Sequence, residues 1–219
     1  MKRDKLKPAL QRGLYVITDC VNLDTSGLLR KSRLILEAGV AVLQYRDKTP
    51  DAAIRMERAL ALQKLCTRYN TVFLINDDVE LAVQLGADGV HIGREDAGYD
   101  QSRALLGRQA LIGVSCYNQL ERALLAEHQG ADYAAFGAFY PTATKTTEFR
   151  AHPDLLIRAK RRLAIPVVAI GGITPENAAV LIGAGADLLA VVNSVYSRED
   201  PQQAVAEYNI LFNKTSSSG

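Results

Sequence analysis

With 219 residues, 48% of them hydrophobic and 23% charged, the chain has ordinary globular composition and enough apolar material for one large core. A formal net charge of +2 gives no electrostatic case for a nucleic acid or an anionic membrane as partner, and no apolar window reaches the length of a membrane span. Three cysteines, Cys20, Cys66 and Cys116, are an odd number without metal-ligand spacing, which points to reduced thiols in a cytoplasmic protein.

The basic opening MKRDKLKPALQ is followed by no apolar stretch, so residues 1–12 read as an N-terminal extension and not as a signal peptide. From there, apolar runs of strand length recur in order. They are LYVITD (14–19), VAVLQYR (40–46), TVFLIND (71–77), GVHIG (89–93), LIGVSC (111–116), YAAFGAF (133–139), PVVAIGG (166–172) and LLAVVN (188–193). Helical spacing fills the gaps, as with Leu28, Leu29, Leu34 and Ile35 after the first run. Strands alternating with helices predict a parallel sheet, and near-continuous apolar runs predict strands covered on both faces. Eight such units, closed by a helix near 201–212, predict an α/β fold, a (β/α)8 TIM barrel in a single domain over 13–213 with a tail at 214–219.

A weak repeat supports the barrel. Gly39, Gly86, Gly130 and Gly185 each stand just before an even-numbered run, the last three inside Gly-Ala-Asp. Glycine at the end of a helix takes the left-handed conformation that turns the chain back, so these positions read as structural. The run Lys160-Arg161-Arg162 falls where a helix should end and reads as a solvated face complementing the helix dipole.

In this fold chemistry collects where strands run into the following loops. The second run ends in Gln44-Tyr45-Arg46-Asp47-Lys48, in which Gln44, Arg46 and Lys48 alternate and leave the strand on one side. Three long donors on one face suit a polyanion such as a diphosphate, and burying charge inside an apolar strand is costly without a partner. The third and fourth runs end in Asn76-Asp77-Asp78 and Arg94-Glu95-Asp96. Neighbouring parallel strands lie about 4.8 Å apart, so Asp77 and Asp96 can reach one hard cation, and an oxygen-only donor set favours Mg2+. Asp78 and Glu95 read as charges at helix starts. The fifth run ends in Ser115-Cys116, the sixth leads to Pro141-Thr142-Ala143-Thr144-Lys145-Thr146-Thr147, and the eighth ends in Val192-Asn193-Ser194. Gly171-Gly172 after the seventh run, with Thr174 as cap and Pro175 as the first helical residue, stands where such barrels bind a monophosphate on backbone N–H groups. Two anion sites at one mouth could join two phosphorylated fragments.

No Glu or His stands out as a general base, with His91 reading as a packed interior residue and His128 and His152 as surface positions. Cys116 reads as a small filler. That leaves chemistry run by positioning and charge stabilisation.

The segments YVITD, QYRDK, IND, GADGVHIGRED, IGVS, FYPTATKT, PVVAIGGI and AGAD…AVVNS, in this order, resemble the thiamine-phosphate synthase (thiamine-phosphate pyrophosphorylase) family from about Gly13 to Pro201. The resemblance implies a transferase that condenses 4-amino-2-methyl-5-hydroxymethylpyrimidine diphosphate with 4-methyl-5-(2-phosphooxyethyl)thiazole, giving thiamine phosphate and diphosphate by a dissociative, Mg2+-assisted substitution. It implies that Gln44, Tyr45, Arg46, Asp47, Lys48 and Asn76 hold the pyrimidine diphosphate, joined by Ser115 and Lys145. Arg46, Lys48, Ser115 and Lys145 would be catalytic, Asp77 and Asp96 would bind Mg2+, and Thr142, Ala143, Thr144, Gly172, Val192 and Asn193 would line the thiazole phosphate site. The chain departs from the family pattern at Asp78, where Arg is frequent, at Arg94, where Gln is frequent, and in lacking a His just after IGVS. Two rival functions are a thiazole tautomerase-like isomerase of the same fold and a non-catalytic phosphate-ligand sensor. Oligomeric state stays open, a homo-oligomer included.

Overall fold

Each of the eight apolar runs forms a strand: β1 (Gly13–Ile17), β2 (Val42–Tyr45), β3 (Val72–Asn76), β4 (Gly89–Ile92), β5 (Leu111–Tyr117), β6 (Tyr133–Phe136), β7 (Val167–Ile170) and β8 (Leu188–Val191). They pair in parallel in sequence order and close between β1 and β8 into a barrel, as in the register Tyr15 to Val42 on one side and Tyr15 to Ala190 on the other. The computed structural model describes residues 9–93, 98–142 and 149–216.

The helices between the strands are α1 (Thr25–Glu37), α2 (Ala52–Arg68), α3 (Val79–Leu85), α4 (Tyr99–Leu106), α5 (Leu120–Gln129), α6 (Pro153–Arg162) and α7 (Pro175–Gly183). A short α8 (Asn193–Tyr196) follows β8, and α9 (Pro201–Ser216) closes the chain. Aspartates start the first three, because an Asp side chain satisfies N–H groups that have no partner inside a helix. Asp24 accepts from Gly27 N–H, Asp51 from Ala53 and Ile54, and Asp78 from Leu81. Proline opens α6 and α7, where a missing N–H costs nothing. The last helix runs past the expected domain end at 213, and Thr215 on it accepts from Arg12 Nη2 at 2.9 Å.

Alternation along the strands splits the core in two. Outward residues such as Leu14, Leu43, Phe73, Ile112 and Phe136 pack against the helices, while Tyr15, Ile17, Val42, Leu74, Leu111 and Tyr133 fill the barrel. Burying each large side chain contributes about 1.5–3 kcal/mol, so both layers are needed to offset chain entropy. Inside the barrel, size is matched across strands: a Cβ on Gly113 would fall within the Tyr133 ring.

At the amino-terminal rim the repeat carries hydrogen bonds. Gly86 and Gly130 cap α3 and α5 with φ of 60° and 96°. The aspartates that follow close the rim: Asp88 Oδ2 accepts from Phe73 N–H, Asp132 Oδ2 from Ile112 N–H and Asp187 Oδ2 from Val167 N–H, at 2.8–2.9 Å. Arg103 pairs with Asp132 and Lys160 with Asp187, so Lys160, expected to be merely solvated, is a rim ion pair.

Candidate active site

The carboxyl ends of the strands surround a cavity of about 1010 Å³. Gln44, Arg46 and Lys48 all line it, as the alternation along β2 requires. Past the end of β2 the pairing with β1 is continued by a side chain. Thr18 Oγ1 accepts from Arg46 N–H at 2.9 Å and donates to Arg46 O at 3.2 Å, which keeps the chain extended as far as the two cations.

Tyr45 and Asp47, expected among the substrate contacts, do not line the cavity. Alternation sends both toward the helix layer. The Tyr45 hydroxyl donates to Asp47 Oδ2 at 2.8 Å, Arg58 Nη1 on α2 donates to the same oxygen at 3.0 Å, and Thr49 N–H donates to Asp47 Oδ1. The Asp47 side chain is 1% exposed and that of Arg58 11%. Burial by itself would raise the Asp47 carboxyl, but hydrogen bonds from Thr49, Tyr45 and Arg58 together hold it down at about 2. The pair anchors the loop from behind, so that Arg46 and Lys48 are presented to the front.

Asn76 ends β3 at the cavity, and Asp77 follows with φ 63°, its N–H donating to His91 O at 2.9 Å. This left-handed turn swings the Asp77 carboxylate to the rim, where Lys48 Nζ donates to its Oδ2 at 3.0 Å. Asp78 turns away from the cavity to cap α3, its side chain accepting from Leu81 N–H. Ser115 lines the cavity from β5, with Tyr117 beyond a register shift and its ring 4.8 Å from that of Phe149. Cys116 points outward, fully buried, its thiol pushed up by burial to about 12; it is a filler, as its sequence context suggests.

The opposite wall holds Thr142, Gly171, Gly172, Val192, Asn193 and Ser194. Gly172 has φ 62°, and a Cβ there would run into Pro141 O, so only glycine lets the two loops meet. Backbone bonds from Phe139 N–H to Ile170 O and from Tyr140 N–H to Gly171 O zip the loop after β6 to the end of β7. Tyr208 on α9 donates to Ile173 O at 3.1 Å and meets Ser194 Oγ at 2.8 Å, bracing this wall from outside.

Asp96, Lys145, Ala143 and Thr144 lie outside the described residues. Among the described residues no group of three or more His, Cys, Asp or Glu could hold a metal ion. The Asp77 carboxylate, part-exposed at the rim beside Lys48, still fits a hard cation that takes its other ligands from phosphate and water.

The cavity floor has no counterpart among the expected site residues. Tyr15, Ile17, His91, Ala135, Val168 and Ala190 line it from inside the barrel. His91 is hydrogen-bonded as expected of an interior residue, yet its ring borders the cavity. The signal was available in the alternation that places His91 on the same face of β4 as Gly89 and opposite Gly113.

The thiamine monophosphate synthase family model matches residues 14–195. A thiamine-phosphate synthase of Thioalkalivibrio sulfidiphilus is 45% identical over 201 residues, covering 92% of this chain and 95% of its own. That of Xanthomonas campestris pv. campestris is 51% identical over 207 residues, covering 94% and 99%. The solved thiamine phosphate pyrophosphorylase of Pyrococcus furiosus superposes with a TM-score of 0.83 at 32% identity, covering 94% and 97%. Among the described residues no helix is long and apolar enough to cross a membrane. A closed eight-stranded barrel with a polar mouth, and these matches along nearly its whole length, establish that the chain belongs to the thiamine monophosphate synthase family and is a transferase.

Proposed function

We propose that the chain condenses 4-amino-2-methyl-5-hydroxymethylpyrimidine diphosphate with 4-methyl-5-(2-phosphooxyethyl)thiazole, forming thiamine phosphate and releasing diphosphate. One observation carries the reading: Gln44, Arg46 and Lys48 share a cavity with Asn76, Asp77 and Ser115, opposite a glycine-bearing wall at Gly171 and Gly172. The volume, about 1010 Å³, is at the upper end for a small-molecule site and suits two substrates held together.

In this reading Gln44 and Asn76 orient the pyrimidine, while Arg46, Lys48, Ser115 and Lys145 hold the diphosphate. Thr142, Ala143, Thr144, Gly172, Val192 and Asn193 hold the thiazole phosphate, with backbone N–H groups as donors. The C–O bond between the pyrimidine methylene and the diphosphate breaks with both electrons leaving on diphosphate. The thiazole nitrogen lone pair then forms the new C–N bond to the cationic methylene. No proton is removed in that step, so no general base is required. Arg46, Lys48 and Lys145 stabilise the charge that builds on the leaving group, and holding both partners in one cavity supplies the approach geometry. Asp77 and Asp96 would hold Mg2+, which when bound supplies Lewis-acid neutralisation of the diphosphate.

The test is diphosphate release by purified protein supplied with both substrates and Mg2+; no product at saturation sinks the reading. Thiazole tautomer interconversion without diphosphate release would match the isomerase instead, and binding without turnover the sensor. Asp96→Ala and Lys145→Ala are each expected to cut turnover about 100-fold.

A further inference from the structure

Five side chains from five strands form one hydrogen-bonded chain through the barrel beneath the cavity. Gln44 Nε2 donates to the Tyr15 hydroxyl at 2.6 Å, and the Tyr15 and Tyr133 hydroxyls meet at 2.9 Å. The Tyr133 hydroxyl meets His91 Nδ1 at 3.0 Å, and His91 Nε2 meets Ser115 Oγ at 2.8 Å. The ring of Tyr133 also stacks on His91 with centroids 5.6 Å apart. Only the two ends, Gln44 and Ser115, were expected to touch substrate.

Each link constrains the next. Burial pushes both phenols well above their ordinary range, so each keeps its single proton. An amide NH2 only donates, so Tyr15 accepts from Gln44 and spends its proton on Tyr133. Tyr133 then has one proton left to give and His91 Nδ1 to receive it. A neutral imidazole that accepts at Nδ1 carries its hydrogen on Nε2, which Ser115 Oγ accepts. The Ser115 proton is left for the cavity, and at the other end the Gln44 carbonyl oxygen is the atom left for it.

We propose that Tyr15 and Tyr133 are positioning residues that set the direction of this chain, holding His91 as its Nε2–H tautomer and making Ser115 a hydrogen-bond donor to the leaving diphosphate while Gln44 presents an acceptor to the pyrimidine amine. The proposal rests on the synthase reading for its two ligands. The opposite direction, with the Gln44 amide turned over and every donor reversed, would place the hydrogen of His91 on Nδ1 and spend the Ser115 proton on the imidazole. A donor would then face the pyrimidine amine, and Ser115 would have no proton for phosphate. One buried chain therefore couples the polarity of two contacts on opposite sides of the cavity.

The direct test is 15N NMR of the wild-type protein labelled at histidine, with His91→Asn identifying the resonance among the three histidines. Hydrogen on Nε2 is expected; hydrogen on Nδ1, or on both nitrogens, overturns the proposal. Tyr133→Phe removes one hydroxyl and leaves the ring in place. It is expected to lose the fixed tautomer and to lower kcat roughly tenfold, about the worth of one hydrogen bond. Because Tyr133 reaches the diphosphate only through Ser115, the Tyr133→Phe/Ser115→Ala double variant should lose less than the sum of the two single losses. Additive losses, or wild-type turnover in Tyr133→Phe, overturn it. A wild-type protein that releases no diphosphate defeats the synthase reading, whereas the tautomer measurement still decides the direction of the chain.

Discussion

The two rims of the barrel use aspartate in opposite ways. At the amino-terminal rim, Asp88, Asp132 and Asp187 are closed off: each accepts from the backbone N–H of a neighbouring strand, and the last two also pair with Arg103 and Lys160. At the carboxyl rim, Asp77 stands on a left-handed turn beside a large cavity and meets Lys48 at its edge. Between these lies Asp47, on the carboxyl side in sequence but buried behind it with Arg58. Residue type does not separate stability from function here. What separates them is where the backbone puts the carboxylate: against the N–H of a neighbouring strand at one rim, beside the cavity at the other.

Four changes break or sharpen that contrast. Arg58→Ala leaves the buried Asp47 carboxylate without its cation and should cost about 3 kcal/mol in urea unfolding, while raising KM as Arg46 and Lys48 lose their anchor. Unchanged stability would mean that Asp47 belongs with the open rim. Lys48→Ala should reduce turnover about 100-fold yet barely move Tm, since its side chain is 57% exposed and such pairs contribute at most about 1 kcal/mol. Asp187→Ala should do the reverse, costing about 1–3 kcal/mol by leaving Val167 N–H without its acceptor while kcat stays as it was. A kcat loss at matched folded fraction would contradict the division between rims.

The smallest effect concerns acid. The folded Asp47 carboxyl lies at about 2 against an ordinary 3.8, so the unfolded chain takes up the proton first. Its stabilisation is complete above about 3.8 and is lost as pH falls toward about 2. Asp47→Asn should flatten the acid limb of stability over that window, measured by denaturant unfolding at each pH. An unchanged limb would assign acid sensitivity to other carboxylates.

The fold was legible because its signals are local. Eight apolar runs, the helix-start charge at Asp78 and the proline at Pro175 each specify an element from a few neighbouring residues. The alternation of Gln44, Arg46 and Lys48 likewise located one wall of the site. Alternation also excluded Tyr45 and Asp47 from it, a consequence that family resemblance obscured by treating the segment as a block. His91, Tyr15 and Tyr133 were not legible as partners of Ser115, because they come from different strands and meet only when the barrel closes.

The sequence by itself determined the strand and helix series and the side on which strand 2 presents its donors, since periodicity and capping act over a few residues. Only the tertiary structure decided which polar groups share the cavity, which carboxylates meet the backbone of a neighbouring strand, and how Gln44 is joined to Ser115. Those are contacts between residues up to 118 positions apart, as for Tyr15 and Tyr133, and they depend on register and on the space that Gly113 leaves for a ring.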